Sequence, residues 1–335
     1  MRPAIGVMFR REQHPASLAD YARRAEAMGF DQLWVVEDCF YLGGVAQAAI
    51  ALAATSRIAV GLGIVPAVAR NPAFLAMEYA TLASAFPGRF IGGIGHGFGG
   101  WMAQVGARPE SWLRSLDEIT TAVRRIVHGE EVTVDGQYAS LDAVRLELAP
   151  EVAPPILLGV QAEKSLRLAG ARADGVVLAE GSGPEYVRWA SDLMAQGRTD
   201  AGRDGRGLVT VYTHCLVDDD RPETAREHMR GLVSKSVAAY MQPQFARTSF
   251  GPALAEMAAR GGVDGVRDGM PDAWLSDLAI VGTSAEARVA IARLAEAGAD
   301  SIVLVPPADV DADAWLDAPA MRAIAGDRDW PGGRD

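Results

Sequence analysis

The chain has 335 residues, 49% of them hydrophobic, and a formal net charge of −11 at pH 7. This length and apolar content suit one large α/β domain, which we predict to span residues 1–335. The negative charge argues against nucleic acid and anionic membranes as partners, because phosphate-rich surfaces are bound by basic faces. Neither an apolar signal core nor a run of about 18 apolar residues is present, so we expect a cytoplasmic protein with no membrane partner.

Short runs rich in β-branched residues alternate along the chain with helical stretches rich in Ala and Leu. The predicted strands are 4–8, 32–36, 58–65, 90–94, 156–160, 175–178, 208–217 and 301–305. The predicted helices are 16–28, 45–55, 73–85, 111–128, 163–171, 184–194, 222–236 and 285–297. Such βα units predict a (β/α)₈ TIM barrel, with a doubly wound open sheet as the alternative. In both folds ligands bind at the carboxyl ends of the strands. Short loops containing Asp31, Asp174 and Asp300 precede three strands at the opposite face, and we expect them to serve stability.

Two segments interrupt this alternation. Between the fourth and fifth strands, residues 131–148 predict a hairpin with an Asp135-Gly136 turn and a second strand at 144–148. After the seventh strand comes an insert at 235–277 that is rich in Gly, Met and Pro. This insert is predicted either to cover the site as a lid or wall, or to be a helical excursion that only packs on the barrel. Residues 308–335 predict one terminal helix followed by a tail.

Two carboxylates and a thiol, Glu37, Asp38 and Cys39, follow the second predicted strand. Successive side chains of a strand point to opposite faces, so we expect only one carboxylate to face the site, and we predict that it is Asp38. The group is then either an acid/base site or a solvated loop with Cys39 as a small filler. With Cys215 as the other cysteine and five scattered histidines, the chain predicts neither a disulfide framework nor a metal site.

Glycines are concentrated in the third and fourth predicted strands. Gly61 and Gly63 indicate a bulge or a ligand that approaches the backbone closely, with helix–strand packing as the alternative. Residues 95–100 satisfy the spacing GxGxxG, but they lie in the middle of the chain and run into a poor helix, which argues against a dinucleotide fingerprint. We predict that this backbone lies against a flat ligand or a phosphate, with chain flexibility as the alternative.

The fifth strand leads through Gly159 and a small polar turn into a helix that begins near Glu163. This geometry presents free N–H groups and the positive end of the helix dipole to an anion. Lys164 and Ser165 lie in the first turn, where a lysine is electrostatically unfavourable unless a negative ligand compensates it. We therefore predict a phosphate site here. The sixth strand ends at Glu180, beside further glycines.

Taken together, these stretches resemble the bacterial luciferase-like superfamily, particularly its deazaflavin (coenzyme F420)-dependent members. The resemblance rests on residues that occur in the order of the family: 29–38, Gly61-Leu62-Gly63-Ile64 with 70–72, 86–90 with 93–95, 168–175, and 281–283. No single one of these segments is specific to the superfamily, but the ordered set extends over residues 5–305 and therefore covers nearly the whole chain.

The resemblance implies a barrel with an insertion after strand seven, and a bulge in strand three with a non-prolyl cis peptide at Gly63-Ile64, behind the ring of the cofactor. It implies coenzyme F420 as cofactor, with FMN as the alternative, and a homodimer acting on a small molecule. A flavin or F420 reductase is a candidate partner. The expected cofactor contacts are Gly63, Ile64, Gly95, His96, Gly97, Gly159, Val160, Gln161, Ala162, Lys164, Ser165 and Glu180.

The sequence departs from the family at two acid/base positions. Deazaflavin sugar and alcohol dehydrogenases of the superfamily typically have Asp-His after strand two, where this chain has Asp38-Cys39, and a glutamate after the strand-four glycines, where it has Phe98. This argues against an alcohol or sugar-phosphate substrate. We predict hydride transfer with Asp38 near the ring or substrate and Cys39 or His96 as proton donor, a structural role being the alternative for His96.

Three other functions are compatible with the residues. The first is an FMN-dependent monooxygenase that uses reduced flavin and O₂. The second is a redox-free hydrolase or lyase that uses Glu37 or Asp38 with Glu180. The third is a cofactor-binding protein without catalytic activity.

Overall fold

The computed structural model describes residues 2–326 and contains one closed parallel barrel. The strands are β1 Ala4–Phe9, β2 Gln32–Val35, β3 Ala59–Pro66, β4 Phe90–Gly95, β5 Val132–Asp135, β6 Ser140–Val144, β7 Ile156–Gly159, β8 Gly175–Leu178, β9 Leu208–Val217, β10 Ile280–Gly282 and β11 Ser301–Val305. The barrel runs β1-β2-β3-β4-β7-β8-β9-β11 and closes because β11 pairs with β1. The predicted TIM barrel is confirmed, and the doubly wound alternative is wrong because it would leave two open edges.

Helices cover the outside of the barrel. They are α1 Leu18–Met28, α2 Gly44–Ala54, α3 Pro72–Ala85, α4 Gly99–Gln104, α5 Trp112–Val127, α6 Glu163–Arg172, α7 Pro184–Asp200, α8 Pro222–Ala239, α9 Pro243–Ala246, α10 Gly251–Gly269, α11 Asp272–Leu278, α12 Ser284–Glu296, α13 Ala312–Asp317 and α14 Pro319–Ala325. Local sequence sets their ends. Asn71 caps α3 by accepting from the N–H of Ala73 at 2.9 Å, and Thr283 and Glu286 form a capping box on α12.

Side chains inside the barrel form a closed floor below its carboxyl end. Strand alternation points every second side chain inward, and the resulting apolar cluster comprises Met8, Trp34, Val36, Leu157, Val177, Tyr212, Val303 and Val305. Trp34 and Tyr212 contact each other edge to face, with ring centroids 5.5 Å apart. Access from the amino-terminal face is thereby blocked, so any ligand of the barrel enters at the carboxyl ends of the strands.

Three aspartates in the loops at the amino-terminal face connect neighbouring strands. Each carboxylate accepts a hydrogen bond from the first backbone N–H groups of the adjacent strand: Asp31 from Ile5 at 2.8 Å, Asp174 from Ile156 at 3.0 Å and Asp300 from Val209 at 2.8 Å. A charged acceptor makes a stronger bond than a neutral one. These contacts agree with the stabilising role predicted for the loops.

The hairpin lies where the sequence predicted it, but its second strand and its turn differ. β5 pairs antiparallel with β6, which ends at Val144, so the predicted second strand at 144–148 is wrong. The carboxylate of Glu118 on α5 accepts from the N–H groups of Tyr138 (2.7 Å) and Ala139 (3.2 Å). Because this acceptor, which is far away in the sequence, binds two N–H groups of the loop, the loop is longer than a two-residue Asp-Gly turn.

The insert after β9 has two parts. α8 extends to Ala239, so the predicted start at 235 is five residues too early. The segment around α9 reaches the barrel end, where Gln242, Gln244 and Phe245 contact residues after β8. α10 and α11 pack on α8 and β10 in a separate apolar cluster. The first part is therefore a wall of the site, and the second part is a helical excursion.

The end of the described chain differs from the prediction of one terminal helix. Two short helices occur, α13 and α14, because Pro319 begins a new helix. The predicted tail at 327–335 lies outside the described residues. Within residues 2–326, none of the helices combines the length and the apolar character required to span a membrane.

Candidate functional site

A cavity of about 370 Å³ opens at the carboxyl end of the barrel, directly above the apolar floor. We call it the mouth cavity. Strand alternation carries three polar side chains of its lining to this level, each two positions after a floor residue: Arg10 after Met8, Asp38 after Val36 and His214 after Tyr212. Its polar and backbone lining includes Arg10, Arg11, Glu12, Asp38, Gly63, Glu180, Tyr212 and His214.

The two carboxylates after β2 point in opposite directions, as the alternation of side chains predicted. Glu37 turns outward, where it forms a bidentate ion pair with Arg70 and accepts from the N–H of Gly44 at the start of α2 at 2.8 Å. Asp38 lines the mouth cavity and pairs with Arg11 at 2.8 Å. Asp38 thus faces the cavity and Glu37 faces away from it, as predicted.

Arg10 and Arg11 have different roles at the end of β1. Arg10 is buried, and its guanidinium donates to the carbonyl oxygens of Pro307 and Ala308, which fixes the loop after β11. Arg11 is partly exposed, and its guanidinium carbon lies 5.1 Å from the ring centroid of Tyr41. Arg11 is thus the cation that faces Asp38 at the rim of the mouth cavity.

Cys39 does not line the mouth cavity, although it follows Asp38 directly. The peptide between Cys39 and Phe40 is cis, which the sequence did not indicate. Burial, together with the charges of Glu37 and Asp38, raises the pKa of the Cys39 thiol above its usual value. The thiol therefore stays protonated at neutral pH.

The third strand carries the bulge and the cis peptide at Gly63-Ile64 that the resemblance implied. The bulge turns the side chain of Ile64 towards β4 and β7. A Cβ atom at Gly159 would lie 2.7 Å from Cγ2 of Ile64, and one at Gly95 would lie 2.8 Å from its Cδ1. Gly95 of β4 and Gly159 of β7 therefore leave room for the side chain of Ile64 inside the barrel.

His96 and Ser165 meet at the amino end of α6. The Nε2 atom of His96 lies 3.2 Å from the hydroxyl oxygen of Ser165, and its ring is edge to face with Trp112 at 6.1 Å. Together with Ala162 and Lys164 they line an open cavity of about 520 Å³, which we call the phosphate-end cavity after the phosphate site that the sequence predicts here. Burial lowers the pKa of His96. The structure therefore separates His96 from Asp38, because the two residues line different cavities.

The start of α6 has the properties of an anion site. No side chain caps this helix, because its N-cap residue is Ala162. The first backbone N–H groups of a helix have no partner within it. The hydroxyl of Ser165 is buried beside them, whereas the side chain of Lys164 is exposed. Glu163 in the same turn pairs with Arg167 one turn further along the helix at 3.6 Å.

Four other predicted cofactor residues lie between these two cavities or beside them. Val160 is buried in the main core, so only its backbone is free to contact a ligand. Gly97 has a positive φ of 72° in the turn after His96. The amide of Gln161 donates to Gln242 of the insert at 3.3 Å, so this residue connects the phosphate end to the wall. Glu180 belongs to the mouth cavity rather than to the phosphate end.

Two residues of β9, Tyr212 and His214, were missed by the sequence reasoning. The hydroxyl of Tyr212 lies 3.5 Å from the carbonyl oxygen of Gly63, at the bulge. His214 stands one inward position further along the strand, beside Glu180. A signal was present in the sequence, because Tyr212 and His214 are two positions apart and therefore point to the same face of β9.

A second, smaller cavity lies behind Glu180 and His214, between the barrel and the insert. This rear cavity has a volume of about 100 Å³ and is also lined by Ser236, Gln242, Gln244 and Phe245. The amide nitrogen of Gln244 donates to Oε1 of Gln242 at 2.8 Å and to the carbonyl oxygen of Glu180 at 3.1 Å. Gln161, Gln242 and Gln244 thus form a chain of amides across the base of the insert, which we call the glutamine chain.

Comparison with known proteins places the chain in a family. The family model of the luciferase-like monooxygenases matches residues 2–301. The chain is 27% identical to a 5,10-methylenetetrahydromethanopterin reductase of Methanolobus tindarius over 90% of this chain and 94% of the relative. It is 32% identical to an F420-dependent glucose-6-phosphate dehydrogenase of Microbacterium testaceum (strain StLB037) over 64% and 68% of the two chains.

Among solved structures, the fold is similar to that of an F420-dependent secondary alcohol dehydrogenase in complex with an F420-acetone adduct. The TM-score is 0.77 at 22% identity, and the match covers 97% of this chain and 99% of the other. At this identity the likeness shows the fold alone. The match of the family model over most of the sequence is the stronger result, and the chain belongs to the luciferase-like monooxygenase family.

Proposed function

We propose that this protein is a coenzyme F420-dependent oxidoreductase that transfers hydride to or from a small organic molecule. Both curated relatives described above are reductases or dehydrogenases, and one of them is named as F420-dependent. The observation that carries the proposal is the arrangement of the uncapped start of α6, the bulge at Gly63-Ile64 and the mouth cavity along one end of the barrel. In this order, the three features fit the phosphate of the cofactor, its flat ring and the substrate.

The donor set at the start of α6 fits the phosphate of a deazaflavin or a flavin. The hydroxyl of Ser165, the imidazole of His96 and free backbone N–H groups converge there, and the helix dipole favours negative charge. Lys164 adds a cation at the edge of the phosphate-end cavity. We propose that Gly159, Val160, Gln161 and Ala162 contribute backbone atoms to this site, with Gly95 and Gly97 on the neighbouring loop.

When bound, the deazaflavin accepts or donates a hydride at its ring carbon C5. The protein itself positions the reactants and excludes water. Gly63 and Ile64 would lie behind the ring, while Trp34 and Tyr212 close the barrel from below and exclude water. Asp38 and Arg11 present a paired charge to the substrate at the rim. Such positioning is the main requirement of hydride transfer, because both reacting carbons must be held within contact distance. Cys39 stays outside the mouth cavity, and His96 belongs to the phosphate end, so neither is proposed as the proton donor.

Fluorescence titration of the purified protein with F420 tests the cofactor. We expect saturable binding of F420 that is tighter than the binding of FMN, and weaker binding of F420 in the Lys164→Ala and Ser165→Ala variants. The chain has two lysines, and Lys235 on α8 provides the matched control, because Lys235→Ala removes the same charge away from the phosphate-end cavity. Absence of F420 binding would overturn the proposal.

The second candidate is an FMN-dependent monooxygenase, as the description of the family suggests. The start of α6 fits the phosphate of either cofactor, so it does not distinguish between F420 and FMN. FMN binding together with O₂ consumption by the reduced protein would reverse our assignment. A separate flavin reductase would then be required as partner. The hydrolase alternative loses one carboxylate, because Glu37 is engaged by Arg70. A protein without catalytic activity would bind F420 but turn over no substrate.

We further propose that the protein is a cytoplasmic homodimer. The outer faces of α2 and α3 expose Ile50, Phe74 and Met77, with Phe74 64% exposed. Exposed apolar groups that lie together on neighbouring helices are typical of an interface between subunits. Light scattering on the purified protein measures the mass in solution, and a monomer would contradict the dimer.

A further inference from the structure

His214 and Glu180 form the partition between the two cavities of the barrel end. Both residues line the mouth cavity, and both also line the rear cavity between the barrel and the insert. A side chain in this position contacts a substrate on one side and a protected polar space on the other. No other ionisable side chain is shared by these two cavities within the described residues.

His214 is a partly buried imidazole with an unused nitrogen. Its Nδ1 atom is fully buried and has no hydrogen-bond partner among the described residues, so Nε2 is the nitrogen left to face a cavity. Burial lowers the pKa of His214, the carboxylate of Glu180 opposes this shift, and the guanidinium of Arg10 adds to it. The imidazole is therefore neutral at neutral pH and lies beside a carboxylate that stabilises its protonated form.

The rear cavity can supply the polar surroundings that a proton-transfer group needs. A water molecule occupies about 30 Å³ in the liquid, so a volume of about 100 Å³ holds a few of them. The Oε1 atom of Gln244, a residue only 1% exposed, is buried without a hydrogen-bond partner among the described residues. Buried polar atoms of this kind are usually satisfied by ordered water.

We propose that His214, held beside Glu180, is the general base of the reaction in the oxidising direction and that the substrate carries a hydroxyl group on the reacting carbon. The carbon loses hydride, with its electron pair, to the oxidised deazaflavin, which is thereby reduced. The hydroxyl proton passes to Nε2 of His214, and the O–H bonding pair becomes the second bond of the new carbonyl. The proton leaves through the rear cavity. In the reducing direction the same imidazolium returns the proton.

This assignment rests on the proposed function and resolves the departure at the end of strand two. The histidine expected from the resemblance after Asp38 is replaced by Cys39, whereas an imidazole reaches the same cavity from β9. The charged and titratable groups that line the mouth cavity with His214 are Arg10, Arg11, Glu12, Asp38, Glu180 and Tyr212. From α8 and the insert it meets only uncharged groups, such as Ser236 and Gln244. A hydroxylated substrate is therefore compatible with this site.

Histidine NMR tests the pair without turnover. In uniformly labelled protein, His214→Gln identifies the resonance of His214 by its loss. We expect this imidazole to titrate below the usual value of about 6.5, and Glu180→Gln to lower its pKa further because a stabilising negative charge is removed. Glu163→Gln on α6, outside both cavities, is the matched control and leaves the titration unchanged. Titration at or above 6.5, or no response to Glu180→Gln, would overturn the proposal.

Kinetics with the F420-loaded protein test the role directly. With 2-propanol and with glucose 6-phosphate as probes, we expect kcat/KM to rise with pH through the pKa of His214. His214→Gln should lower kcat/KM by about 10²- to 10⁴-fold and abolish its rise with pH, while the affinity for F420 stays unchanged. The control, His228→Gln on α8, should keep the pH profile of the wild type. An unaltered pH profile in His214→Gln would refute the proposal. If neither probe is turned over, the NMR result decides. If the wild-type protein does not bind F420, the proposed function itself is refuted.

Discussion

The contact between Gly159 and Ile64 gives a quantitative test of why the strands at the site contain glycine. A methyl group at residue 159 would lie 2.7 Å from Cγ2 and 3.2 Å from Cγ1 of Ile64, and its other near neighbour is Cβ of Ile64 at 3.5 Å. The first distance is about 0.8 Å shorter than the optimal separation of roughly 3.5 Å between carbon atoms. Gly159→Ala must therefore displace Ile64 or the strand, and overpacking of this kind costs about 1–3 kcal/mol.

A double-mutant cycle separates packing from ligand binding. Ile64→Ala removes both offending carbons, so Gly159→Ala should destabilise the wild type but have little effect in the Ile64→Ala background. The assay is urea denaturation of the cofactor-free protein, read as the change in midpoint at constant slope. Gly231→Ala on α8 is the control, because a Cβ there meets nothing within 4 Å; it should raise the free energy of unfolding by about 0.4–1 kcal/mol. Additive effects at residues 64 and 159 would refute the packing explanation.

Two further predictions concern stability. Asp174→Ala removes the acceptor for the N–H of Ile156 and should lower the free energy of unfolding, measured in urea, by about 1.5–3 kcal/mol. The control, Asp142→Ala on the exposed hairpin, should change it by no more than about 0.5 kcal/mol. Equal effects of the two substitutions would contradict the role of Asp174. Burial opposes ionisation of Glu26, but hydrogen bonds from residues 56–58 outweigh it and lower the pKa of Glu26 to about 2. Its folded pKa lies below its unfolded value, so its contribution is present above about pH 4.5 and is lost as the pH falls towards 2. Glu26→Gln should flatten the stability profile in that window, and an unchanged acid slope would contradict the assignment.

The barrel could be predicted from the sequence because its signals are local and repeated. Each buried parallel strand is a short apolar run between helical stretches, and the eight predicted runs lie within one residue or so of the observed strands. The hairpin was harder, because its loop is shaped by Glu118 of α5, which no local pattern of residues reveals. Gly136 also belongs to this contact, since a side chain there would collide with the carboxylate of Glu118.

The site could be predicted in part. The period-two alternation of a strand was enough to orient Glu37 and Asp38. The glycines of strands three and four were interpreted as signs of a bulge or of an approaching ligand, but the sequence could not reveal that side chains of the same barrel lie against them, such as Trp34 at Gly61 and Ile64 at Gly95. His214 was missed because β9 was interpreted only as a core strand, and its partner Glu180 lies on a different strand. Side chains that meet through closure of the barrel leave no spacing signal in the sequence.

The glutamine chain has a consequence for how the protein responds to its environment. Gln161, Gln242 and Gln244 hold the insert to the barrel through amides, which do not titrate and carry no net charge for salt to screen. Acidification changes the charge of the imidazole and carboxylates that line the mouth, but it does not loosen this attachment. At this contact, the position of the insert is therefore independent of the protonation state of the side chains in the mouth.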